Sequence, residues 1–208
     1  FAALSGGQVA AMTTDQVAQL TAAQIAKMST EQITAMSGEQ LAALADDAQV
    51  QALSTTVLAA LVEDQLTALG ADQVAALTSK QIAALSGEQI SKFSAEQVAD
   101  WTTTAGGQWQ AISLTAMAEL STDFVAAMTE EQVTALTDKQ VKAMVETQFA
   151  AMSNEQLAAI DSKDLAGLSA DDLNALSADQ FNALDADQIK ALTVAQITNL
   201  DDEIIQGM

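Results

Sequence analysis

Ser37-Gly38-Glu39-Gln40-Leu41-Ala42-Ala43-Leu44 recurs, with variations, over nearly all of the 208 residues. The template is Ser/Thr, any residue, acid, Gln, aliphatic, any residue, Ala, Leu/Met. Its last position runs Leu4, Met12, Leu20, Met28, Met36, Leu44, then Leu53 to Trp101, then Ile112 to Met208. Position 1 supplies N-caps such as Ser5, Thr13, Thr21, Ser29 and Thr78, whose hydroxyls accept from the backbone N–H two or three residues on. Gln at position 4 completes a capping box by reaching back to the N–H of the cap. Acids at position 3, such as Asp15, Glu31 and Glu39, suit the positive end of a helix. Each octad therefore predicts one short helix of about two turns, followed at once by the cap of the next.

A single continuous helix is the competing reading, and geometry opposes it. Anchors at positions 5 and 8 have a mean spacing of ~4.0 residues against 3.6 per turn, so the apolar stripe would rotate by roughly 80° per octad. Helices this short do not stand alone in water and must be held by neighbours. The expected fold is all-α: a solenoid with positions 5 and 8 inward and Ala at position 7 allowing close approach. About three helices per coil are expected, with two per coil as the alternative.

Gln at position 4 raises its own question, because Glu would cap equally well. An amide donates as well as accepts. The favoured reading is a partly buried ladder in which Gln16, Gln24, Gln32, Gln40, Gln73, Gln81, Gln89, Gln97, Gln132 and Gln140 donate to carbonyls of neighbouring helices. The plainer reading is a surface cap that limits charge. Exposed amides without partners would decide for the latter.

Residues 1–208 read as one repeat array with irregular units at 45–53 and 102–112. The first adds one residue. The second contains Gly106-Gly107 and lies between Trp101 and Trp109, the only tryptophans, with Phe93 one octad earlier. Gly-Gly supplies freedom for a bulge, and the aromatics are expected to fill the extra volume. Partner binding through Phe93, Trp101 and Trp109 is the sharper but less favoured reading.

Composition excludes much. The net charge is −21, from 28 acids against 7 lysines, with no Arg, His, Cys, Tyr or Pro. Nucleic acid and anionic membrane surfaces lack the clustered cations they require. No apolar run approaches a membrane span of about 20 residues. Zinc and haem find no His or Cys, and no catalytic base is present for the many Ser and Thr. Acid pairs such as Asp46/Asp47, Glu130/Glu131 and Asp171/Asp172 fall in the first halves of octads, where the helix dipole and solubility account for them. Calcium loops are absent from the sequence, so no metal, cofactor or catalytic residue is expected. Seven of the eight methionines, all but Met117, hold position 8, a core place. The chain opens within a repeat at Phe1 and stops on the anchor Met208, which reads as a piece of a larger protein or a processed subunit.

The tandem text at Thr78–Leu85 and Thr129–Leu136 resembles segments of very large repetitive bacterial exoproteins, described as adhesins or haem utilisation/adhesion proteins. The resemblance covers essentially the whole chain and carries no site motif. It implies a bacterial protein that is secreted or on the cell surface, with the repeats acting as a spacer or fibre. The expected function is therefore structural and non-enzymatic: a stalk, spacer or fibre segment. The alternatives are a module binding a protein or glycan at the Trp region, and a self-assembling filament subunit. Expected partners are a second copy, end to end or lateral, or flanking repeats of a parent chain.

Overall fold

A computed structural model describes residues 3–207, so the anchor Met208 lies outside the described residues. It contains 24 helices of four to six residues and, among the described residues, no strand. The octad Ser37–Leu44 shows the local rule. Ser37 is extended (φ −74°, ψ 162°), the Ser37 N–H donates to Gln40 Oε1 at 2.8 Å, and the Gln40 N–H donates to Ser37 Oγ at 3.2 Å. Helix Gly38–Ala42 follows, ends at Ala43, and the next cap begins after Leu44.

Where the cap residue has no side-chain acceptor, half of this arrangement survives. The Val62, Gly70 and Val145 N–H groups still donate to Gln65, Gln73 and Gln148 Oε1. One capping pair is worth about 1 kcal/mol, too little to hold a helix of four to six residues, shorter than the two turns expected. Tertiary packing therefore decides which short helices persist.

In the regular stretches a helix packs on the third one along the chain, and across residues 94–101, where no helix forms, on the second, as Gly87–Ile90 does on Leu114–Glu119. Gly6–Ala10 meets Thr30–Thr34, Thr14–Ala18 meets Gly38–Ala42, and Ala22–Ile25 meets Asp47–Gln51. The coil is thus three helices, not two. Positions 5 and 8 form a continuous buried cluster from Val9 to Leu200. Position 5 is sealed most completely, as at Val17, Leu41, Val74 and Ile90, each 0% exposed. At the first coil Leu4 and Met12 of position 8 are only partly covered, whereas near the last coil Ile197 and Ile205 of position 5 are exposed. Position 8 therefore faces the preceding coil and position 5 the following one.

Coils touch through position 2 of one helix and position 7 of the helix three octads on. A Cβ on Gly38 would sit 2.5 Å from Ala68 Cβ and 2.6 Å from Asp64 O. Position 7 is Ala in most octads, though Gln19, Lys27, Lys92, Asp100, Glu119 and Asn199 also stand there. Glu119 is accommodated by Gly87, whose N–H donates to Glu119 Oε2 at 3.3 Å.

One octad departs from the predicted helix. Ser94–Trp101 keeps its cap, with Ser94 N–H donating to Gln97 Oε1 at 2.8 Å, but forms turns only. Asp100 replaces Ala at position 7, setting a negative charge at the negative end of the turn. The large Trp101 occupies position 8, and its indole Nε1 donates to Val74 O at 3.0 Å.

Candidate functional site

Two features carry polar chemistry into the interior: the position-4 glutamines and the irregular coil around Trp109. The glutamine oxygen is fixed by the cap N–H, so the amide nitrogen points away from its own helix. Gln40 Nε2 donates to Met12 O at 2.6 Å and Ala10 O at 3.1 Å. Gln32 reaches Leu4 O at 2.7 Å; Gln73 reaches Leu41 and Leu44; Gln81 reaches Val50 and Leu53. Gln89 reaches Leu58 and Leu61, Gln97 reaches Leu66 and Leu69, and Gln140 reaches Trp109 at 2.8 Å and Ile112 at 3.0 Å. The acceptors lie 28 to 31 residues earlier in regular stretches, at positions 8 and 5 of the helix four back. These are the orphan carbonyls of a helix end, and one buried amide satisfies two of them.

Gln16, Gln24 and Gln132 are different. Gln16 and Gln24 make their cap contacts, but their Nε2 atoms have no acceptor among the described residues, because no described coil precedes them. The ladder role assigned to these two is therefore not made. Gln132 caps Thr129 at 2.9 Å and is buried, yet its Nε2 also lacks an acceptor. Its acceptors would come from the unit around Ser94–Trp101, which is the one without a helix.

Forward reading from the caps missed Gln49 and Gln108 in the irregular units. Gln49 Nε2 donates to Ala18 and Leu20, and Gln108 Nε2 to Ala75 at 2.7 Å and Leu77 at 2.9 Å. Counting back from the anchors Leu53 and Ile112 would have found both. A second set of contacts was also missed because position 6 is variable. Gln51, Gln110, Asn174 and Asn182 donate to carbonyls 25 residues ahead. Their signal was a carboxamide where most octads have a small or apolar residue.

In the irregular coil, Thr102 and Gln108 form the cap pair at a separation of six instead of three. Thr102 N–H donates to Gln108 Oε1 at 2.9 Å, and Gln108 N–H to Thr102 Oγ1 at 3.1 Å. The three extra residues are extruded as a loop, and Gly106, at φ +79°, turns it. Gly107 lies against Thr102, where a Cβ has no space. Phe93, Trp101 and Trp109 are all buried, at 4%, 2% and 0% exposure. They form an edge-to-face chain, with ring centroids 6.0 Å apart from Phe93 to Trp101 and 5.5 Å from Trp101 to Trp109. The Trp109 Nε1 has no hydrogen-bond partner. A cavity of about 190 Å³ lies beside Trp109, Phe93, Phe124 and Gln132.

A third irregularity is Asp164, which holds position 4 in helix Ser162–Leu165. It is buried, its Oδ1 has no partner, and burial pushes its carboxyl above the usual carboxylate range. Asp172, also at position 4, lies nearer the surface and caps Ser169 N–H at 2.9 Å.

Residues 46–79, 157–194 and 166–202 match the family model of the ALTTAQ repeat. No curated protein matches the chain. The chain is a repeat-containing protein with an all-helical solenoid fold.

Proposed function

We propose that the chain is a non-catalytic spacer, stalk or fibre segment of a bacterial extracellular or cell-surface protein. The observation that carries this reading is the amide ladder, which ties coil to coil at fifteen of the twenty-one units from Gln32 to Gln196 and is interrupted at Val57, Ala116, Phe124, Gln132, Asp164 and Asp172. A stack held by the same contacts at successive levels sets a length and resists bending. The acidic surface keeps neighbouring stacks apart. The bacterial surface setting rests on the resemblance to repetitive exoproteins. Burial of Phe93, Trp101 and Trp109 speaks against a protein or glycan partner at the irregular coil, and no aromatic side chain is exposed among the described residues.

The test is a tandem fusion of two copies, joined in octad register and measured by small-angle scattering. A spacer gives one rod of about twice the length. Two beads connected by a bend would overturn the reading. For the setting, antibody labelling of intact cells that express the parent protein should find these repeats outside. Labelling only after lysis would reject that part.

End-to-end self-assembly is the second reading, favoured by matching faces. The first coil carries unpaired amides at Gln8, Gln16 and Gln24 above partly covered Leu4 and Met12. The last carries the exposed Ile197 and Ile205, and beside them position-8 carbonyls, such as that of Leu192, that receive no glutamine. These are the two sides of the contact made inside the stack, so either flanking repeats or a second copy suits them. Light scattering that grows with concentration, and stays monomeric for Ile197→Lys, would support the copy. Scattering from a monomer at every concentration would reject it.

A further inference from the structure

Half of the interruptions of the amide ladder fall together at one level of the stack. A rung joins each unit to the fourth one back, so a cut through a regular stretch crosses four rungs. Gln89, Gln97 and Gln108 make their rungs before the break, and Gln140, Gln148 and Gln156 make theirs after it. Between these sets lie three consecutive units without one. Ala116 and Phe124 hold position 4 there and offer no amide, and Gln132 makes its cap contact with Thr129 but no rung among the described residues. A cut between Trp101 and Thr102 therefore crosses one rung, that of Gln108. A cut between Ile112 and Ser113 also crosses one, that of Gln140. The other interruptions, Val57 alone and Asp164 with Asp172, leave at least two rungs across every cut around them.

What crosses this level instead is weaker in direction. Polar links lie at the surface, such as Ser121 N–H to Ser91 Oγ at 2.8 Å and Thr103 Oγ1 to Glu131 Oε1 at 3.0 Å. Water competes for bonds placed there. The interior link is apolar: the rings of Phe93, Trp101, Trp109 and Phe124 run through the level, with successive centroids 6.0, 5.5 and 6.2 Å apart. Apolar contact is non-directional. Its filling is also incomplete, since a cavity of about 190 Å³ lies beside Phe93, Trp109 and Phe124 and the buried Trp109 indole N–H has no partner. On one side the unit 94–101 winds no helix, and the chain crosses the level through the loop that Gly106 turns.

We infer that the level between Trp101 and Ser113 is a seam, at which the solenoid opens before any other interior level and leaves residues 1–101 and 113–208 as two blocks with their own coils intact. The stability of a repeat array is close to a sum of unit and neighbour contributions. The level with the fewest directional links is then the one that parts first, as a sub-global opening. Tension along the axis would lengthen the molecule at this set place and spare the coils on either side. The inference does not rest on the spacer reading, because it concerns which level parts first whatever the chain spans. The scattering test of that reading is made without denaturant, where the seam is closed.

The test uses the whole chain in an equilibrium urea titration. Both tryptophans stand at the seam, so their fluorescence reports this level, whereas far-ultraviolet circular dichroism reports all the helices. The expected result is a fluorescence midpoint below the dichroism midpoint by roughly 0.5 M urea or more. Coincident midpoints, or fluorescence that changes last, overturn the inference. Gln140→Leu removes the one rung across Ile112–Ser113 and should lower the fluorescence midpoint further. Gln188→Leu, far from the seam, should lower the dichroism midpoint and leave the fluorescence midpoint in place. A fluorescence midpoint that moves equally in both variants also overturns the inference. The wild-type titration decides the matter even if Gln140→Leu does not fold.

Discussion

At the scale of the single residue, the buried glutamine amide does what no acid can. Gln140 uses its oxygen for the Thr137 cap and its nitrogen for two carbonyls of the helix four back. Q140E keeps the cap acceptor but sets a carboxylate against two carbonyl oxygens in a buried place. We expect it to lose about 2–4 kcal/mol in denaturant unfolding. Q16E, at an exposed amide with no acceptor, should stay within about 0.5 kcal/mol of the parent. Asp164 makes the reverse experiment available. D164Q replaces a buried unpaired carboxylate by the side chain that this position elsewhere uses, and should gain about 1–2 kcal/mol at neutral pH. The sign of its pH dependence follows from the raised carboxyl. In the window between the ordinary carboxylate value and the raised one, the folded state holds more protons than the unfolded state. Native stability at this residue therefore improves as pH falls through that window. The advantage of D164Q should shrink from pH 7 toward pH 4; an advantage that grows on acidification would contradict this account.

At the scale of the element, the short helix is a unit of contact geometry more than of propensity. Gly38 sits where helix Gly38–Ala42 nearly touches helix Glu63–Ala68, so a methyl has no room. Gly7 faces open space. G7A should stabilise by about 0.5–1 kcal/mol through helix propensity alone. G38A should destabilise by about 1–3 kcal/mol, because overlap outweighs the same propensity gain. Paired thermal melts of the two variants check both signs. The octad was legible because its caps and anchors act locally, within one two-turn helix. Three helices per coil was legible only as an estimate, since it depends on how side chains of positions 2 and 7 meet between coils. The unit Ser94–Trp101 was not legible: it carries a full cap motif, and its failure to wind into a helix turns on the Asp100 charge and the Trp101 contact with Val74, 27 residues earlier. The missing ladder contact of Gln132 was hidden for the same reason, because its acceptors belong to another coil.

At the scale of the whole molecule, charge and stacking oppose each other. The net charge of −21 is spread over a thin body, and only four ion pairs are seen among the described residues, all near the surface. Repulsion of this kind is long-ranged and falls away once the screening length drops below about 10 Å. The melting temperature should therefore rise by several degrees between 10 mM and 0.5 M sodium chloride, and a fall would show that local ion pairs matter more than the total field. Function was the least legible level. The ladder, caps and core explain a folded stack, and none of those residues is left over to identify a partner.

The direction of the amide ladder has a consequence for how the protein is made. Each rung points backward, from a glutamine to carbonyls about 30 residues nearer the N-terminus. A ribosome therefore delivers every acceptor before its donor. Each helix that emerges finds a finished surface waiting, adds its amide and its two anchors, and becomes the surface for the next. Growth can proceed at the pace of translation, without long-range closure and without waiting for the C-terminus.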